Sequence, residues 1–183
     1  MTAARAPRRV AALVSLLAVL AVIAGCVTTM HSFPPAGSTP QPVTGSTTAR
    51  TTAAVIRMLD GAGLQAEVTS RPFRPFEGPL LAGAARTVIE VDLPDDPSGG
   101  AFVVVYSLAT PEAALAAATD HAAYLAAGIG GRVQYPPGTR FTVQVTGSNV
   151  VFFNWLPATS PDQRTDTIEE TLRSLGASVE VPS

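Results

Sequence analysis

The sequence has no lysine, a single cysteine and only two histidines among its 183 residues. One thiol cannot form an intrachain disulfide or a cysteine-rich zinc site. Positive charge comes from 12 arginines alone, and these are dispersed along the chain. Because a nucleic-acid-binding surface needs clustered positive charge, the sequence predicts no nucleic-acid partner.

Negative charge is confined to the part of the chain after Cys26. All 14 acidic residues follow Cys26, together with nine of the arginines, which gives this part a net charge of −5. A domain of this charge is weakly repelled by anionic lipid headgroups. We therefore do not expect its folded part to be held on a membrane by charge.

The N-terminal segment has the order of a bacterial export signal. Arg5, Arg8 and Arg9 precede an apolar run, Val10–Gly25, of 16 residues, whereas a membrane-spanning helix needs about 20. The run ends in Ile-Ala-Gly directly before Cys26, and these four residues resemble the lipobox of bacterial lipoproteins. The resemblance implies that the Cys26 thiol receives a diacylglyceryl group and that cleavage leaves Cys26 as the lipidated N-terminus. An ordinary signal peptide or an uncleaved signal anchor is the alternative.

These features divide the chain into three parts. Residues 1–25 form the predicted signal peptide, residues 26–50 contain the lipidated cysteine and a tether, and residues 51–183 form the folded domain. The tether is rich in Ser, Thr, Pro and Gly and has few aliphatic residues, so we expect it to be disordered. Acyl chains on Cys26 would anchor the protein stably. The predicted location is the cell membrane or cell envelope, on the side facing away from the cytoplasm.

Hydrophobic periodicity predicts the element order α-β-β-β-α-β-β-α for the folded part. Helices are expected over residues 51–60, 111–127 and 161–175, and strands over 64–69, 87–93, 101–108, 140–146 and 150–156. Hairpins joined to helices without βαβ alternation are typical of an α+β fold. We expect a mostly antiparallel sheet of four or five strands with about three helices on one face. The other sheet face, left open, would be a natural binding surface.

Two helices carry more detailed expectations. The helix over 111–127 begins with a Thr-Pro-Glu capping sequence and is expected to bury Leu115, Ala118, Ala122 and Leu125. The last helix has the spacing of a capping box, with Ser160 three residues before Gln163.

The folded part also resembles a domain of small uncharacterised bacterial lipoproteins. A strand ending in tyrosine precedes an alanine-rich helix, as in VVVYSLATPEAALAAA, and a final hairpin precedes a helix ending in Leu-Gly, as in FTVQVTGSNVVFFNWL and TIEETLRSLG. The resemblance covers most of residues 54–176 and lies in the hydrophobic pattern. It implies an α+β fold and brings no known activity and no catalytic residues.

The most distinctive irregular segment is the loop Arg71–Ala85. Within it, arginine and phenylalanine are interleaved at Arg71, Phe73, Arg74 and Phe76. Such side chains could bind an aromatic or anionic ligand by stacking and charge. The alternative is that the phenylalanines pack in the core while the arginines stay solvated.

Two further groups are candidates for a site. Asn154 and Trp155, near the end of a strand, could line a pocket, although a tryptophan there is usually a core residue. Asp92, Asp95 and Asp96 are close in sequence, but their spacing does not match an EF-hand loop. We therefore predict no metal site and no cofactor.

His121 is the one histidine in the predicted folded part. The chain has no G-x-S-x-G, H-E-x-x-H, P-loop or G-x-G-x-x-G motif, which weakens an enzymatic interpretation. We expect His121 to be a partly buried structural residue, with general-base catalysis as the alternative. Two functions follow: a non-catalytic binding or accessory module for a protein or an apolar ligand, or a small cell-envelope hydrolase that uses His121.

Overall fold

The computed structural model describes residues 46–127 and 135–182. The predicted signal peptide, Cys26 and most of the predicted tether lie outside this range. The described helices are α1 (Ser46–Gly61), α2 (Pro79–Ala82), α3 (Pro111–Ala127) and α4 (Arg164–Arg173). The described strands are β1 (Ala66–Val68), β2 (Ala85–Asp92), β3 (Gly100–Ser107), β4 (Arg140–Thr146), β5 (Asn149–Trp155) and β6 (Ala177–Ser178).

The strands form one antiparallel sheet in the order β1-β2-β3-β5-β4-β6. The predicted α+β class and antiparallel sheet are confirmed. The sheet has six strands, more than the four or five expected, because β6, which was not among the predicted strands, pairs with β4. Gly176, with φ of 71°, turns the chain into β6 where a Cβ atom would lie 2.2 Å from the carbonyl oxygen of Val145.

The helices lie on both faces of the sheet and not on one face as predicted. On β3, Val103 and Val105 pack with α1 and α4, while Val104 and Tyr106 pack with α2 and α3. Successive side chains of a strand point to opposite faces, so a strand that is apolar at every position needs a cover on each side. The central strands therefore lack the open face that was expected to bind a ligand.

Helix α3 has the predicted bounds, and of its predicted stripe Ala118 and Ala122 are buried and Leu125 is partly buried, whereas Leu115 is not. The backbone N–H of Ala113 donates to Thr110 Oγ1 at 3.2 Å, which caps the helix as expected. Leu115 is 53% exposed. The buried side chains of α3 are Ala114, Ala117, Ala118, His121 and Ala122. A stripe of alanines lets the helix axis approach the sheet closely, and this places His121 against the sheet.

The ends of the other two long helices also differ from the predictions. Helix α1 begins at Ser46, within the range assigned to the tether, and Thr48 is buried and donates to Asn149 Oδ1 at 2.8 Å. The capping box of α4 does not form, because Asp162, and not Ser160, accepts a hydrogen bond from the backbone N–H of Arg164 at 3.0 Å. Within residues 46–127 and 135–182, no helix combines the length and apolar character needed to cross a bilayer.

Candidate ligand-binding cleft

The pairing of β3 with β5 does not include the first residues of β3 or the last residues of β5. It runs from Ser107 opposite Asn149 to Val104 opposite Phe152. Beyond this point β3 continues to pair with β2, and β5 with β4, as far as their ends. The sheet therefore opens between its two central strands, and side chains from both faces reach the same space.

A cleft of about 280 Å³ lies at this opening. We name it the sheet-end cleft. It is lined by Phe73, Leu93, Asp96, Ser98, Gly100, Ala101, Phe102, Asn154, Trp155, Ser160 and Thr165. Two of the predicted site residues, Phe73 and Trp155, thus contribute to one cleft, although they are far apart in sequence.

The aromatic rings of the sheet-end cleft are held in fixed orientations. Phe73 stacks on Phe102 with ring centroids 4.4 Å apart and planes inclined by 21°. Trp155 is 8% exposed, and its indole Nε1–H donates to Glu169 Oε2 at 2.8 Å. The Arg140 guanidinium lies 5.4 Å from the Trp155 ring centroid. Such locked rings provide preorganised apolar walls for a ligand.

Polar side chains of the same cleft have hydrogen-bonding capacity to spare. Thr165 is 1% exposed, and its Oγ1 has no hydrogen-bond partner within the part of the chain that the structure describes. The side chains of Asn154 and Ser160 likewise make no hydrogen bond to described residues. By contrast, Asp96 Oδ1 already accepts from the backbone N–H of Ser98 at 2.8 Å. Thr165 is one of five described residues that have a buried polar side-chain atom without a partner, so its hydroxyl by itself does not indicate a ligand.

A second cleft, of about 450 Å³, borders the first and contains the predicted arginines. It is lined by Val68, Thr69, Arg71, Pro72, Phe73, Arg74, Arg86, Thr87 and Val88. Each arginine is already ion-paired: Arg71 with Glu90, Arg74 with Glu77 at 2.8 Å, and Arg86 with Glu77 at 3.2 Å. Because Arg74 and Arg86 share Glu77, three guanidinium groups face only two carboxylates, and a net charge of +1 (3 − 2) remains beside this cleft.

Phe76 lines neither of these clefts. It is 48% exposed and meets the Tyr135 ring edge-on, with centroids 5.3 Å apart. The backbone N–H of Phe76 donates to the Tyr135 hydroxyl at 3.3 Å, and burial raises the pKa of Tyr135 to about 12. The predicted set of four loop residues therefore divides, with Phe73 as its member in the sheet-end cleft.

His121 is more deeply buried than predicted and serves a structural contact. Its ring has no exposed surface and packs edge-on against Phe152, with centroids 4.7 Å apart. Its Nδ1 accepts a hydrogen bond from the backbone N–H of Gly78 at 3.2 Å. Burial lowers the pKa of His121 to about 4, against a weaker opposing effect of Asp120. A general base must contact its substrate, and in this structure no solvent reaches the ring.

The acidic residues between β2 and β3 do not converge on a metal site. Asp95 pairs with Arg164 at 3.2 Å, while Asp96 accepts from Ser98. The hydrogen bond from Arg164 also holds the pKa of Asp162 below its ordinary value. Among residues 46–127 and 135–182, no group of three or more His, Cys, Asp or Glu side chains is placed to hold a metal ion.

Several residues of the sheet-end cleft could not be identified from the sequence. From the sequence pattern, Phe102 is predicted only as an apolar residue of a strand. Ser98, Ser160 and Thr165 have the pattern of residues in turns and at helix starts. Only the register of β3 against β5, and the point where that pairing ends, brings them together.

Comparison with known proteins finds no matching family model, no matching curated protein and no matching solved structure.

Proposed function

We propose that this chain is a lipid-anchored, extracytoplasmic binding module that holds its ligand in the sheet-end cleft. The observation that carries the proposal is the meeting of Phe73, Phe102 and Trp155 with the half-buried polar side chains of Asn154 and Ser160 in one cleft. Concave sites with aromatic walls and a few convergent polar groups are the usual form of a small-molecule site. The same site can receive a single side chain of a protein partner.

The support for a lipid anchor comes from the amino-acid sequence. The arginines before the apolar run, the run itself and the Ile-Ala-Gly-Cys sequence ending at Cys26 occur in the order of a lipoprotein signal. With Cys26 acylated, a predicted tether would connect the bilayer to a domain of net negative charge. The location that this supports is the cell membrane or cell envelope, outside the cytoplasm.

The alternative function, a small hydrolase that uses His121, draws no support from the placement of this side chain. His121 is fully buried, and its Nδ1 is engaged by Gly78. It is also absent from the lining of the sheet-end cleft.

The proposal is tested by photo-crosslinking in cells with the full chain. A photoreactive amino acid is placed at Ser98, which is exposed at the rim of the sheet-end cleft. We expect a discrete adduct in the membrane fraction, detected by mass spectrometry, and a much lower yield when Phe73→Ala is combined with it. A melting curve of Phe73→Ala verifies that the variant remains folded.

The matched control places the same photoreactive group at Leu115, which is 53% exposed on α3 and does not line the cleft. Exposure to solvent is then similar, while proximity to the cleft is not. No adduct from position 98, or the same adduct from both positions, would overturn the proposal.

A further inference from the structure

We propose that the ligand of the sheet-end cleft is a neutral, hydroxyl-rich ring of the size of one saccharide unit. This inference rests on the proposed binding function and names its ligand class. The size of the cleft, its hydrogen-bonding groups and its charge each restrict the ligand, and all three favour this class.

The size of the cleft admits one substituted ring. Its volume of about 280 Å³ equals the share of about nine waters at about 30 Å³ each. Pockets for larger, drug-sized ligands begin at about 300 Å³. An extended peptide or a long acyl chain would not fit inside, whereas a six-membered ring with its substituents would.

The pattern of polar and apolar walls favours a ring with hydroxyl groups. Phe73, Phe102 and Trp155 offer apolar surface, while the half-buried side chains of Asn154 and Ser160 offer hydrogen-bonding groups. A purely apolar ring would displace water from these groups without replacing its hydrogen bonds, which is unfavourable. A saccharide has C–H groups on its ring faces and hydroxyls at its edges, so both kinds of wall are satisfied.

The charge of the cleft favours a neutral ligand. Asp96 is the one ionisable side chain among the described lining residues, and its Oδ1 accepts hydrogen bonds from Ser98. The arginines next to the cleft are bound to carboxylates, Arg71 to Glu90 and Arg164 to Asp162. A carboxylate or phosphate on the ligand would therefore face the Asp96 carboxylate, and these two guanidinium groups are already paired.

The chain provides its own reporter, because Trp155 is its single tryptophan and lines the cleft. The full chain, kept in a detergent without a sugar headgroup, is titrated with glucose, galactose, mannose and N-acetylglucosamine while tryptophan emission is recorded. We expect a saturable change for at least one of these, with a dissociation constant on the order of 1 mM.

Two other probes test the chemistry of the ligand. Glucuronate adds a carboxylate to the same ring, and phenol removes all but one hydroxyl. We expect both to bind at least about tenfold more weakly than the best neutral sugar, since each loses one of the matches described above. If phenol or glucuronate binds as tightly as the best neutral sugar, or if none of the neutral sugars binds, the inference is wrong.

A pair of variants assigns the polar contact. Ser160→Ala removes a hydroxyl from a half-buried residue of the cleft wall, so we expect about tenfold weaker sugar binding with little change in the melting temperature. Ser70→Ala is the matched control, because it removes a serine hydroxyl from a residue that does not line the cleft. Equal sugar affinity in the two variants would contradict the assignment.

The two proposals fail in different ways. A cleft-dependent adduct from position 98 without any response to neutral sugars would overturn the saccharide assignment and leave the binding function in place. The absence of both results would overturn both proposals.

Discussion

At the scale of single residues, one buried contact ties the loop between β1 and α2 to α3. The Gly78 N–H donates to His121 Nδ1 at 3.2 Å, and a Cβ atom at Gly78 would lie 2.9 Å from a carboxylate oxygen of Asp120 and 3.1 Å from the Cα of His121. A glycine and a neutral imidazole are therefore both needed for the loop to lie this close to the helix. Phe73 belongs to the same loop, so this contact also helps to position one wall of the sheet-end cleft.

The buried imidazole makes stability depend on pH. In the folded protein the pKa of His121 is lowered to about 4 from its ordinary value of 6.5, so between these values the unfolded chain binds the proton that the folded chain excludes. Stability due to this group is complete above about pH 6.5 and falls as the pH decreases, by up to about 1.4 kcal/mol per pH unit. Below about pH 4 this loss is complete.

His121→Asn tests this linkage, since asparagine does not titrate and offers an oxygen to the Gly78 N–H. We expect the free energy of unfolding of the wild-type protein to decrease between pH 7 and pH 5 by about 2 kcal/mol more than that of the variant. The measurement is urea unfolding of both proteins, followed by Trp155 emission. Equal losses in the two proteins would show that His121 does not carry the effect.

A second buried group, Glu169, organises the other side of the cleft. Its carboxylate accepts from Trp155 Nε1 at 2.8 Å, lies 3.5 Å from Arg140 Nε and pairs with Arg173 at 2.5 Å. The sequence reveals the pair with Arg173, because the two residues are four positions apart on one helix face. The bond to Trp155 depends on how α4 packs on β5, which no local pattern encodes.

At the scale of elements, the sequence is informative where periodicity is strong. The bounds of α3 follow from the Thr110-Pro111-Glu112 start, and those of β4 follow from its alternation. The short α2 and β6 carry too few residues to show a period, and the exposed residues of β6 give no hydrophobic signal. The helix layers on both faces follow from β3, where Val103 and Val105 belong to one core and Val104 and Tyr106 to the other, and helix periodicity alone does not give the face on which each helix packs.

The addition of β6 to the sheet depends on Gly176. Its φ of 71° is in the left-handed region, and a Cβ atom would lie 2.2 Å from Val145 O, a backbone atom that cannot move without breaking β4. We expect Gly176→Ala to lower the free energy of unfolding by more than about 2 kcal/mol, the sum of backbone strain and lost strand pairing. Urea unfolding measures the loss, and hydrogen exchange at Val179, whose N–H donates to Val143 O at 2.9 Å, localises it.

Gly63→Ala is the control for backbone strain alone. Gly63 has a similar φ of 82°, and nothing lies within 4 Å of a Cβ atom built there. We expect this variant to lose only about 1 kcal/mol, with unchanged exchange at Val179. If the two alanine variants were equally destabilised, the steric role of Gly176 at the sheet edge would be refuted.

At the scale of the whole molecule, the anchor and the domain have separate physical bases. The domain has its own cores on both faces of the sheet, and the part of the chain after Cys26 has a net charge of −5. Neither property favours adsorption to an anionic bilayer. Under the proposed function, membrane attachment therefore depends on the acyl chains alone.

Mass spectrometry and detergent partitioning of the full-length protein test this dependence. We expect the native chain to begin at Cys26, to carry a diacylglyceryl mass on it and to enter the detergent-rich phase. Cys26→Ser removes the sulfur that accepts the lipid, so this variant should leave the detergent-rich phase or keep its first 25 residues, with sugar binding by the domain unchanged. Ser32→Ala, which lies outside the Ile-Ala-Gly-Cys sequence, serves as the control and should behave as the wild type. An unmodified thiol on a membrane-bound native chain would mean that something other than the lipid holds the protein at the bilayer.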